Sequence, residues 1–236
     1  MNETILLSRT NLRSKCKAKI DLGDIYLLKG EHWESTLLYS QVEKDMVEDP
    51  LGHEAKLKNA KLSYYKGDFE LAQAHLDVLK LATSREISND AMELSIMIQD
   101  NIGLDSTTDA MVEYAAIDLL LFQNKTAEAL AKTDAMMLKF PNHSLTDELY
   151  WLKAKILLKI GDYKEAVLAL EKIETLYPDD ILGDNALFTL GTIYEERLKD
   201  AAKAMEVYQK FLLKYPASIY TVEARKRFRL LRGDKM

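Results

Sequence analysis

Side chains able to do covalent or metal chemistry are few and scattered. The four histidines are His32, His53, His75 and His143. No two of them have the spacing of a helical metal site, and the sequence contains no HExxH. Cys16 stands between Lys15 and Lys17, a setting that lowers a thiol pKa, but no histidine accompanies it in the pattern to act as a base. As the single cysteine, it also excludes an intrachain disulfide. The phosphate-cradling and nucleophile-elbow patterns GxxxxGKS/T, GxGxxG and GxSxG are absent. The carboxylate pairs Asp179-Asp180 and Glu195-Glu196 sit where a helix cap or a solvated face accounts for them. No catalytic residue, cofactor or metal ligand is expected, and the chain reads as non-enzymatic.

Residues suited to non-covalent binding are better ordered. Tyr114, Trp151 and Phe188 recur at intervals of 37, and a further 37 leads to Arg225. Asp118, Lys155 and Thr192 keep the same interval. Aromatic anchors beside polar groups are the usual means of gripping apolar side chains of a partner.

The elements that must position them are helical. In 236 residues there are only 9 Gly and 4 Pro, too few turn residues for an all-β sandwich or barrel. Apolar residues make up 47% and charged residues 30%, a globular balance rather than a disordered one. The net charge of −6 disfavours nucleic acid as a partner. Residues 223–236 run against this trend. Six cations there face Glu223 and Asp234, giving +4 locally and leaving −10 elsewhere. Such cations suit a helix C-terminus or a partner-binding or anionic surface. No apolar run is long enough for a transmembrane helix. The opening MNETILLSRTNLRSK does not read as a signal peptide. It enters helical pattern at once, which suggests a piece of a longer chain.

An internal repeat dominates. LKFP (138–141), TLYP (175–178) and LKYP (213–216) place prolines 37 and 38 residues apart. Ala129, Ala166 and Ala204 follow at matching phase, as do Ile117, Ala154 and Gly191. One extra residue lies near Lys199. A period in the thirties built of two helices predicts a helical solenoid. Helices are expected at 3–29, 32–47, 51–66, 69–82, 87–101, 105–123, 126–139, 144–160, 163–176, 182–197, 200–214 and 217–231. Gly23 and Gly191 lie inside two of these at a cost of about 1 kcal/mol each, so a neighbouring helix is expected to approach closely there.

The residues Leu22, Gly23 and Tyr26, then Tyr65, Gly67, Phe69 and Ala74, then Ala129 and Pro141 carry a resemblance to the tetratricopeptide-repeat family. It continues through Gly161, Asp162, Tyr163, Ala166 and Pro178, and through Leu190, Gly191, Tyr194, Ala204 and Pro216. The resemblance covers nearly the whole chain, but His32 and Trp33 blur the first repeat and residues 83–104 do not fit. It implies an all-α, right-handed solenoid of about twelve helices in antiparallel hairpins, with a C-terminal capping helix. The organisation expected is an N-terminal block at 1–82, an inserted helix or phase break at 83–104, and a C-terminal block at 105–236, within one continuous solenoid. Within the family, the period of 37–38 and the Phe/Tyr-Pro endings resemble bacterial envelope-type proteins. That group includes the outer-membrane assembly lipoprotein and the periplasmic partner of the Tol system.

In such repeats the first helix lines a concave groove. Tyr114, Trp151, Phe188 and Arg225 would then form one row in the groove, about 10 Å apart, with Asp118, Lys155 and Thr192 beside them. The alternative is that the aromatics pack between repeats. The function implied is a scaffold or adaptor that binds a protein or peptide in the groove, with no small-molecule substrate or nucleic acid. The setting implied is the periplasm or outer membrane, with possible peripheral or lipid-anchored association. Competing expectations are an architectural spacer in a longer repeat protein and a regulatory or enzymatic role for 83–104, where Ser84, Arg85, Asn89 and Asp90 form no recognisable site. A carboxylate clamp is disfavoured, because Ile20, Asp24, Asn59 and Ser63 stand where Lys/Asn pairs would be needed. Arg232-Gly233-Asp234 and the sequons at Asn2, Asn124 and Asn142 are read as chance matches.

Overall fold

The computed structural model describes residues 2–81, 84–102, 108–141 and 143–234. Every regular element among them is helical, in twelve α-helices and one π-helical turn. Two compact units divide between Lys125 and Thr126. The first holds α1 (Asn2–Lys29), α2 (His32–Asp45), α3 (Pro50–Tyr65), α4 (Phe69–Leu79), α5 (Arg85–Ile102) and α6 (Asp109–Phe122). The second holds α7 (Thr126–Lys139), α8 (Thr146–Ile160), α9 (Tyr163–Leu176), α10 (Gly183–Thr192), the π turn Ile193–Arg197, α11 (Ala201–Lys214) and α12 (Thr221–Arg232).

The helices begin and end where local chemistry dictates. Asp49, Asp68, Asp162 and Asp200 are N-caps whose carboxylates accept from backbone N–H groups of the first turn. Pro50 follows Asp49 at the first helical position. Asn124, Gly161 and Lys199 turn the chain between helices, all with positive φ. They are 37 and 38 residues apart. The extra residue in the second interval is taken up by the π turn, which closes wider rings than an α-helix. The expected helix start at 105 lies outside the described residues, and α6 is seen from Asp109. α12 starts at Thr221 rather than 217, because Tyr215 to Tyr220 form a turn in which the Thr221 hydroxyl donates to the Tyr215 carbonyl (3.1 Å).

In the first unit α1 to α4 form two hairpins. Cys16, Ile20, Val42, Leu51 and Ala55 make one core cluster. Leu27, Tyr39 and Leu62 make another, against which Tyr65, Leu119 and Phe122 pack. α5 lies on α4 and α3, held by the Gln73 side-chain amide donating to Ser95 Oγ (2.8 Å). α6 crosses the same hairpins: Val112 faces Gly67, and Gln123 donates to the Leu27 carbonyl (3.1 Å). In the second unit α8–α9 and α10–α11 are hairpins, with α12 laid on α11. Ala166, Leu170, Ile173, Ala204, Tyr208 and Phe211 are fully buried in their common core. The expected all-α hairpin architecture is what the chain forms.

Candidate binding faces of the two units

In the second unit the first helices of successive hairpins are α8, α10 and α12. Ala154 on α8 and Gly191 on α10 are buried at equivalent positions. Three residues before each stand Trp151 and Phe188. Both are half-buried and pack against the unit's core. The Phe188 ring stacks on Tyr220 with centroids 4.6 Å apart and planes 10° from parallel. Tyr220 is itself held by its hydroxyl, which donates to Asn185 Oδ1 (2.7 Å). Lys155 and Arg225 are exposed. Thr192 is half-buried and spends its hydroxyl on the Thr189 carbonyl (2.8 Å). α8 and α10 therefore each carry one anchored, half-buried aromatic, with Lys155 exposed on α8 and Arg225 exposed on α12.

Tyr114 and Asp118 belong to α6 of the first unit. Tyr114 is only 5% exposed. It lies close to Tyr64, whose phenol is pushed well above its usual pKa by burial and by the charge of half-buried Asp118. An aromatic so placed stabilises α6 on its neighbours and exposes little surface of its own.

The first unit has a cleft that the 37-residue ladder did not reveal. Its volume is about 670 Å³, and α1, α3, α5 and the end of α6 line it. On its floor Lys58 donates to both carboxylate oxygens of Asp24 (2.9 Å each), and the Tyr39 hydroxyl donates to Asp24 Oδ1 (2.6 Å). Burial, then the Asp24 hydrogen bond, push the Tyr39 phenol far above its usual pKa. Leu27, Tyr65 and Phe122 make one apolar end. Arg13 and Lys17 on α1 and Glu86 and Asp90 on α5 also line the cleft. One signal was present: Asp24 and Lys58 are 34 residues apart, a spacing in the range of a two-helix repeat.

Among the described residues no group of three His, Cys, Asp or Glu side chains could hold a metal ion. Cys16 is buried, and that burial raises its thiol pKa rather than lowering it. Asp234 of the Arg-Gly-Asp tripeptide is tied to Arg232 (2.9 Å) and Arg229 (3.3 Å). Lys235 and Asn142 lie outside the described residues. No described helix is long and apolar enough to cross a membrane.

Residues 147–180 and 185–218 each match a tetratricopeptide-repeat family model. Two segments of the second unit are thus similar to tetratricopeptide repeats. The matched segments are the hairpins α8–α9 and α10–α11, and Trp151, Lys155, Phe188 and Thr192 lie on their first helices. Among solved structures, the chain is similar to a tetratricopeptide repeat protein from Parabacteroides merdae ATCC 43184. That match has a TM-score of 0.43 and 11% identity, over 93% of this chain and 74% of that one. No curated protein matches. Tetratricopeptide repeats generally serve as non-catalytic scaffolds, since stacked hairpins expose long concave surfaces suited to protein partners.

Proposed function

We propose that this protein is a non-enzymatic adaptor that binds a peptide or helix of a partner protein along the first helices of its second unit. The observation that carries this reading is the placement of Trp151 and Phe188 at equivalent positions of consecutive repeats, both half-buried, with Lys155 exposed one turn after Trp151. Anchored aromatics lose little entropy on binding and supply most of the affinity at such surfaces. Lys155 and Arg225 would orient the partner's carboxylates, and Thr192 would offer a polar neighbour. Tyr114 and Asp118 on α6 would serve the first unit's own face, where Tyr114 is nearly buried. The period of 37–38 and the Phe/Tyr-Pro endings favour a bacterial envelope setting, at the periplasm or outer membrane.

The test is a peptide-display selection on the full chain, followed by calorimetry on the enriched sequences. Trp151→Ala is expected to weaken binding about tenfold or more, with Lys155→Glu/Arg225→Glu altering charge preference. Selected peptides that bind Trp151→Ala as tightly as the parent would sink the reading. Fractionation of the source cells tests the envelope setting, and recovery of the protein in the cytosolic fraction would count against it.

A further inference from the structure

The two hairpins of the first unit repeat in register. Gly30 and Gly67, both with positive φ, turn the chain between the helices of each hairpin and stand 37 residues apart. At the same interval Ser35, Tyr39 and Val42 on α2 correspond to Ala72, Leu76 and Leu79 on α4, and all six are fully buried. On α3, Gly52, Ala55, Asn59 and Leu62 are buried under the hairpin before them. A Cβ on Gly52 would strike the Met46 carbonyl, and Ala55 packs with Cys16 and Val42. The Asn59 amide donates to Glu43 Oε2 (3.1 Å), and Leu62 packs with Leu27 and Tyr39. The counterparts of these four on α1 are Lys15, Ala18, Leu22 and Ile25, and all four are exposed. α1 thus carries the packing face of a first helix with no hairpin laid on it.

That face is complementary to itself. Ile25, 52% exposed, is its centre. Leu22 and Leu28, 42% and 39% exposed, stand three residues to either side, and exposed Asp21 and Lys29 stand four residues to either side. A straight helix can be turned half a revolution about a line through one residue, perpendicular to the helix axis, and its positions superpose. A second α1 related in this way at Ile25 runs antiparallel to the first. Ile25 then meets Ile25, Leu22 meets Leu28 of the partner subunit, and Asp21 meets Lys29 of the partner subunit, with each unlike contact made twice. Asp21 has no cation of its own among the described residues. Lys29 is paired with Glu31 (3.0 Å), but both side chains are exposed, so the pair contributes little and leaves Lys29 free to take a second carboxylate.

We propose that α1 pairs with α1 of a second copy of this chain, antiparallel and centred on Ile25. The ridges 21-25-29 and 22-25-28 cross at Ile25, so each copy's ridge enters the groove beside the other's at an interaxial distance of about 8–10 Å. Flanks that carry both signs of charge give the face no attraction to an anionic surface. One helix crossing covers less than the roughly 1,200 Å² of a small stable interface, so the dimer is expected to be weak, with a Kd on the order of tens of micromolar. The surface lies in the first unit and goes beyond the adaptor surface of Trp151 and Phe188.

The experiment is sedimentation equilibrium of the full chain over about 2–200 μM, a range that brackets such an affinity. The parent is expected to show a monomer–dimer equilibrium. Ile25→Asp sets two carboxylates against each other at the axis and is expected to raise Kd about tenfold or more. Asp21→Lys and Lys29→Glu each place like charges opposite one another twice, so each is expected to weaken the dimer. The double variant Asp21→Lys/Lys29→Glu restores it. The two single variants, mixed, form a heterodimer in preference to either homodimer, since only that pairing matches every charge. Trp151→Ala leaves the dimer unchanged. All the altered α1 positions are exposed, and circular dichroism confirms that each variant folds. A parent that stays monomeric throughout the range overturns the proposal, as does a dimer indifferent to Ile25→Asp. Charge variants that neither rescue one another in the double variant nor pair when mixed would overturn the antiparallel arrangement. A monomeric parent that binds another protein through this face, and loses it with Ile25→Asp, would give the face to that protein and overturn the self-pairing.

Discussion

Tyr208 fills the space that a side chain on Gly191 would need. A Cβ on Gly191 would stand 2.5 Å from Tyr208 Cε1, and the Tyr208 hydroxyl reaches on to Glu195 Oε2 at 2.7 Å. The first unit repeats the device. A Cβ on Gly23 would collide with Tyr39 Cε1, and the Tyr39 hydroxyl donates to Asp24. In each case a buried tyrosine lies on a glycine of the preceding helix and hydrogen-bonds a carboxylate further along it. Gly191→Ala is therefore expected to destabilise the second unit by about 1–3 kcal/mol, the cost of overpacking. This would occur although alanine favours helix by about 1 kcal/mol. Urea denaturation measures it, and an unchanged or raised midpoint would show that the ring can move aside.

Arg227 reaches three carboxylates at once, those of Glu195, Glu196 and Glu223. Those carboxylates hold its guanidinium charged against the opposing effect of burial. Arg227→Ala would leave Glu195, Glu196 and Glu223 facing one another. The site is partly solvated, so the expected loss is modest, about 1–2 kcal/mol at pH 7. It should shrink as added salt screens the three carboxylates from one another. Equal losses at low and high salt would assign the effect to packing instead.

His75 carries a pH dependence of definite sign. Burial lowers its pKa below 6.5, opposed by Glu43 and reinforced by Lys56. The unfolded chain then binds a proton more readily than the folded one between the two pKa values. Its contribution to stability is complete above about pH 6.5 and is lost as pH falls through that window. Thermal melts from pH 7.5 to 5 should show this slope, and His75→Gln should flatten it. A slope unchanged by the substitution would place the titration elsewhere.

Asp147 works in the opposite sense. It is 2% exposed at the start of α8, its Oδ2 has no hydrogen-bond partner, and burial raises its pKa. The folded chain therefore holds that proton more tightly than the unfolded one. Stability is reduced as pH rises from the usual carboxyl pKa of about 3.9 through the raised value. Asp147→Asn removes the buried charge, so it should raise Tm at pH 7 and have little effect near pH 3.5. A lower Tm at pH 7 would mean that the carboxylate has a role in holding the helix start that Asn does not fill.

Much of the fold could be read along the chain because its determinants are local. The helix that ends before Gly161-Asp162 and restarts at Tyr163 needs only a residue that accepts positive φ, then a carboxylate cap. The period of 37–38 locates the hairpins α8–α9 and α10–α11, and the extra residue near Lys199 shows itself as the π turn. Gly23 and Gly191 announce a close approach because nothing else explains a glycine inside a helix. Other features depend on which distant side chains arrive at one place. Tyr114 keeps the register of Trp151 and Phe188, yet it is buried because α6 crosses over Tyr64 and Tyr65. Asp24, Tyr39 and Lys58 come from three helices, and their meeting in one cleft follows from the angles at which α1, α2 and α3 pack. The three carboxylates on Arg227 meet it because the π turn carries Glu195 and Glu196 toward α12. Hydrogen-bond periodicity and turn chemistry are carried by neighbouring residues, so the sequence determined the helices and their pairing. Burial and charge contact are summed over residues far apart in the chain, so tertiary packing alone decided which side chains remained available to a partner.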